Sequence, residues 1–135
     1  TDDKNFSMRM TESGVANSTA SSYINTGRIV RTDTSFSNVN ETTSNWRLMS
    51  GVGNATGEGG SGKLWIYNAT RSGELTFYWC ETLGYHATLG GALNYIQAGH
   101  QNKTNKVYDG VEFAWESAST FSSGKLVMYG FKTSA

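Results

Sequence analysis

Residues 63–81 hold two apolar runs on either side of a turn signal, and this arrangement limits what the chain can become. Lys63–Ala69 (KLWIYNA) and Glu74–Glu81 (ELTFYWCE) are rich in aromatic and aliphatic residues, and Thr70–Gly73 (TRSG) joins them. Neither run places its apolar residues at helical spacing, so two strands closed into a hairpin are expected. Side chains alternate between the faces of a strand. Leu75, Phe77 and Trp79 therefore oppose Thr76, Tyr78 and Cys80, and Leu64 and Ile66 oppose Trp65 and Tyr67. Both runs carry apolar residues on both faces. The second face is then either covered in an oligomer, which is the expectation here, or an exposed aromatic row that stacks on sugars or on another protein.

The rest of the chain fits an all-β domain with many turns. Its 135 residues include 16 glycines and no proline, with Ser, Thr and Asn abundant and no long helix-favouring run. Residues 1–20 are polar apart from Phe6, Met8 and Met10, and read as an extended N-terminal arm, either a frayed terminus or a segment whose apolar residues anchor on a partner. Residues 21–135 form the folded domain. Strands are expected over 21–32, 45–50, 63–69, 74–81, 111–116 and 124–132, with 92–97 a strand or a short helix. Polar 33–44 and glycine-rich 51–62 read as loops, and 82–91 (TLGYHATLGG) as an irregular loop. Short, irregularly spaced strands with no fixed-period repeat suggest an antiparallel two-sheet sandwich, whose order is either jelly-roll-like or another Greek key.

Several chemistries do not fit these residues. Residues 57–63 (GEGGSGK) nearly spell a phosphate-binding loop, but Leu64 stands where a Mg²⁺-binding hydroxyl is needed, and a strand follows instead of a helix. His86 and His100 lack the spacing and companions of a zinc site. Ser61 and Asp109 could be drawn into a triad with either histidine, but the nucleophile-elbow pattern is missing, because Lys63 takes its last glycine position. Glu74 with Glu81, and Glu112 with Glu116, read as solvated carboxylates rather than a glycosidase pair. Cys80 sits in an apolar run and reads as a buried thiol. The sequons at Asn5, Asn17, Asn40, Asn54, Asn68 and Asn102 are incidental in so Ser- and Thr-rich a chain. No enzyme, cofactor or metal is expected.

Formal net charge is zero, with no basic cluster, so nucleic acid is not an expected partner. No apolar stretch reaches membrane-spanning length and no signal peptide is visible. The single cysteine, Cys80, rules out an internal disulfide, and folding in a reducing cytoplasm is expected. Thr1 fits either removal of an initiator Met or excision from a longer protein.

Ser119–Lys132 (STFSSGKLVMYGFK) is the most specific stretch. It resembles the closing strand of small β-sandwich domains in tailed-bacteriophage virion proteins, which ends in Gly-Ser/Thr-Phe-x-Leu-Tyr-Gly-Ile/Leu-Lys. Residues 59–68 (GGSGKLWIYN) and Val111–Phe113 are similar to earlier strands of that family, so the likeness spans about 45–132. Lys125, Leu126 and Val127 depart from the usual residues but keep the apolar pleat. The resemblance implies a structural virion protein, assembled in the host bacterial cytoplasm. The expected form is a homotrimeric capsid decoration (cement) protein bound to the major capsid protein or another virion protein. Phe6, Met8, Met10, Trp65, Tyr67 and Tyr78 are its candidate interface residues. The alternative is a tail-fibre or receptor-binding domain recognising host-surface glycans, with Tyr85 and His86 on the ligand rim.

Overall fold

A computed structural model describes residues 4–102, 106–116 and 123–130. Among these the chain has only strands: β1 (Lys4–Glu12), β2 (Val15–Ala16), β3 (Tyr23–Arg31), β4 (Phe36–Thr43), β5 (Trp46–Val52), β6 (Gly60–Tyr67), β7 (Phe77–His86), β8 (Gly91–Gln101) and β9 (Gly110–Trp115). They form one antiparallel sheet in the order β2-β1-β5-β7-β8-β3-β4, with β6 added to β7 and β9 to β1. The sheet curls into a half-barrel. β5 touches β7 in the ladder only at Val52 and His86, and there the sheet turns, carrying β9-β1-β5 over the inner face of β3 and β7.

The curl encloses the core. Trp46 of β5 meets Tyr23 of β3 edge-on at 5.1 Å and Tyr78 of β7 at 4.5 Å, with Met8, Met10, Leu48 and Cys80 around them. A second cluster joins Met49, Val52, Leu93 and Tyr95. Burying these side chains removes apolar surface from water at about 25 cal/mol per Å². Three buried tyrosine hydroxyls are satisfied across the curl. Tyr78 donates to Asn25 Oδ1 at 2.7 Å, Tyr95 to the Ser50 carbonyl at 2.8 Å and Tyr23 to the Asn17 carbonyl at 2.8 Å.

Several expectations are corrected. Residues 4–12 are no arm: β1 lies between β5 and β9, and Met8 and Met10 are 0% and 1% exposed. The alternation of Phe6, Met8 and Met10 is that of a strand covering the core, and the polar residues between them face outward. Polar 36–43 is a strand because β4 is an edge that turns only Val39 fully inward. Residues 82–86 continue β7, and a tight turn at 87–90 leads into β8. Gly84 belongs there because it lies opposite Gly60, and the Met49 side chain fills the space: a Cβ on Gly60 would come to 2.5 Å from Met49 Sδ. Residues 124–130 of the expected closing strand pair with none of the described residues and are exposed, while Tyr23, Trp46 and Tyr78 are fully buried. Residues 119–122 and 131–132 of that stretch lie outside the described residues.

Candidate interaction surface on the outer sheet face

The registers of β6, β7, β8, β3 and β4 align their outward residues into continuous rows. One row runs Tyr67, Phe77, His100, Ile24, Thr42, and the next Trp65, Trp79, Ala98, Thr26, Asn40. A third runs Lys63, Glu81, Ile96, Arg28, Asn38, and a fourth Ser61, Leu83, Asn94, Val30, Phe36. β6 and β7 are apolar on both sides because their inner residues (Leu64, Ile66, Tyr78, Cys80) face the core while the outer ones form this platform. Phe36 is 61% exposed, Tyr67 51% and Leu83 50%, and Phe77, Ile96 and Val30 are also exposed. So many large apolar side chains on one sheet face are unusual for a surface that meets only water.

The platform is built to stay ordered. Trp65 and Trp79 pack across strands at 4.4 Å between ring centroids, and Phe77 lies 5.9 Å from His100. Arg28 sits 4.8 Å over the Phe36 ring. Lys63 and Glu81 are directly opposed, so charges of both signs are interspersed among the rings.

The sequence-derived candidates divide accordingly. Trp65 and Tyr67 stand together on this face, as does Tyr85 at its end beside Ala92. Tyr78, Met8 and Met10 point into the core and are unavailable to a partner. Phe6 is half-buried against Phe113 at 5.7 Å and Trp115 at 5.0 Å. His86 accepts a hydrogen bond from Leu89 N at 3.3 Å, and its ring lies against Gly51, whose φ of 62° leaves no room for a Cβ. It therefore braces the 87–90 turn. Phe36, Val30, Leu83 and Ile96 were missed. They lie on β4, β3, β7 and β8, and only the registers between those strands bring them together.

A second concavity of about 450 Å³ lies on the polar side of β1, β5 and β9, lined by Arg9, Arg47, Glu112 and Glu116 among others. Its charges neutralise one another. Arg9 pairs with Glu112 at 3.4 Å, Arg47 with Glu41 at 3.0 Å, and Asn5 donates to Glu116 at 2.7 Å. Asp109 accepts from Thr11 Oγ1 at 2.7 Å and from Gly14 N at 3.0 Å, which holds its carboxyl below the usual range. It is occupied in bracing the β1–β2 turn. Burial pushes the Cys80 thiol up to about 12, the opposite of what a nucleophile needs. GEGGSGK opens β6, and Gly62 is required by close approach: a Cβ there would come to 2.6 Å from the Glu81 carbonyl oxygen. No cluster of three His, Cys, Asp or Glu side chains able to hold a metal occurs among the described residues.

No family model, curated protein or solved structure matches the chain.

Proposed function

We propose that this chain is a structural subunit of a tailed-bacteriophage virion, a capsid decoration protein that binds and stabilises the assembled head. The outer face carries the reading. Tyr67, Phe77, Leu83, Ile96, Val30 and Phe36 present their side chains on one pleated surface while the core beneath is complete without a partner. A contact of standard size buries about 800 Å² on each partner, and the sheet face offers apolar side chains in four adjacent rows. The choice of a virion partner, the major capsid protein above all, comes from the likeness of residues 45–132 to virion β-domains. In this reading β9-β1-β5 and β6-β7-β8-β3-β4 act as the two layers of a jelly-roll-like sandwich, and the subunit is a homotrimer. Binding adds buried area across capsomer seams and involves no reaction.

The test is co-sedimentation of purified chain with undecorated heads. Wild type is expected to pellet with the heads in proportion to their capsomers, and Phe77→Ser with Leu83→Ser to remain in the supernatant with its fold intact. Equal pelleting of both would reject the outer face as the docking surface.

The Trp65–Trp79 pair beside Tyr67 and Phe77 favours one second reading, a receptor-binding domain that stacks these rings on host glycans. Retention on a glycan array that Tyr67→Ala abolishes, without head binding, would select it.

A further inference from the structure

The edge strand β6 has a near-copy in the chain. Ser61–Tyr67 reads SGKLWIY and Ser123–Tyr129 reads SGKLVMY, differing only at Trp65/Val127 and Ile66/Met128. The first copy is a strand that, among the described residues, is hydrogen-bonded to β7 alone, so its other edge is open to them. The second belongs to no strand, and it exposes Leu126, Val127, Met128 and Tyr129, the last by 81%. Both substitutions keep the binary pattern: Leu126 and Met128 repeat Leu64 and Ile66, and Lys125, Val127 and Tyr129 repeat Lys63, Trp65 and Tyr67. A segment with the pattern of a working strand has the means to be one, and in its own subunit it is not.

We propose that Ser123–Tyr129 is a donor strand that adds to the open β6 edge of a second copy of this chain. Three observations favour this site. Leu64 and Ile66 pack on the core yet remain half-exposed at the edge, so Leu126 and Met128 of an added strand would cover them. An open edge offers unpaired N–H and C=O groups to an extended segment. Charge sets the direction. A parallel, in-register strand would put Lys125 beside Lys63, whereas the antiparallel one puts Tyr129 beside Lys63, Val127 beside Trp65 and Lys125 beside Tyr67. Those are an aromatic–β-branched pair and two Lys–Tyr pairs in place of a like-charge clash. The occupant is a second copy because the segment leaves its own subunit's β6 edge unfilled. The donation is from one surface to a different surface, so repeating it closes a ring or builds a chain of subunits. It goes beyond the decoration reading and holds whatever the outer face covers.

The test uses the full chain, Val127→Pro and the double variant Tyr67→Cys/Lys125→Cys. Proline removes a ladder donor from an exposed segment that belongs to no strand, so Val127→Pro is expected to keep the fold. Light scattering on the full chain is expected to give a multiple of 14.7 kDa, and on Val127→Pro the monomer mass. Under oxidation the cysteine pair is expected to link subunits, giving multimers on a non-reducing gel. A monomeric full chain, an unchanged mass for Val127→Pro, or a cross-link confined within one chain would each overturn the proposal. The last would mean that the segment closes its own sheet. Head sedimentation plays no part in these readouts, so this proposal and the decoration reading fail separately.

Discussion

Tyr78 and Asn25, distant in sequence and both buried, meet at 2.7 Å, with the Tyr78 hydroxyl donating to Asn25 Oδ1. The same oxygen accepts from Arg47 N at 3.3 Å, and Asn25 Nδ2 donates to Thr43 Oγ1 at 3.1 Å. One asparagine thus ties β3, β4, β5 and β7 where the sheet folds over itself. Tyr78→Phe leaves Asn25 Oδ1 its Arg47 partner and is expected to cost about 1 kcal/mol. Asn25→Leu strands the Tyr78 hydroxyl and the Arg47 N–H together, and is expected to cost more, about 2–4 kcal/mol. Urea unfolding checks both, and equal losses would contradict the shared-oxygen account.

Met8 and Met10 separate the strand from the arm that the sequence suggests. Truncation of either to Ala is expected to destabilise the isolated chain by about 2–5 kcal/mol, as buried methionine does. An arm residue that anchored only on a partner would leave the unfolding midpoint of the free chain unchanged.

Gly99 lets β8 lie tightly between its ladder neighbours β3 and β7. A Cβ there would strike the Ile24 carbonyl oxygen and come to 2.6 Å from Tyr78 Cε1. Backbone cannot yield as a side-chain tip does. Gly99→Ala is therefore expected to lower stability by about 1–3 kcal/mol, and Gly124→Ala, with open space around it, to leave the unfolding midpoint unmoved.

The alkaline limit follows from buried protons. Burial pushes the Tyr23 hydroxyl from 10.0 to about 12 against the lowering effect of the Met10 N–H bond, and it pushes the Cys80 thiol from 9.0 to about 12. Burial likewise raises Tyr78 and Tyr95. Both pKa values are higher folded than unfolded, so the folded state holds these protons more tightly. Their contribution is whole below about pH 9 and is lost as the pH climbs towards 12. The urea midpoint is expected to fall through that window, and Tyr23→Phe to make the fall shallower. Cys80 is expected to react with a thiol reagent only as fast as the chain unfolds.

How much of this was legible varied with what each strand buries. The hairpin of β6 and β7 was readable because both runs are apolar through and through, and their inner and outer sets are the ones the sequence separates. β4 hid because Phe36-Ser-Asn-Val-Asn-Glu-Thr-Thr has the composition of a loop, and an edge strand with one fully inward side chain needs nothing more. β1 was taken for an arm because polar residues separate its core methionines. Gly60 reads as a loop residue in the sequence, yet it makes room for Met49 of β5. The platform itself was only half visible. Trp65 and Tyr67 announced it locally, while Phe36, Val30, Leu83 and Ile96 join them through registers that no local pattern contains.

The most direct measurement of the central claim is oxidative footprinting of Trp65, Tyr67, Phe77 and Trp79 in the free chain and in the assembled particle. The account predicts that Tyr67 and Phe77 label readily in the free chain and are protected in the particle, with buried Trp46 and Tyr78 unlabelled in both. Equal labelling of Tyr67 and Phe77 in the two states would contradict it, because the outer face would then meet only water.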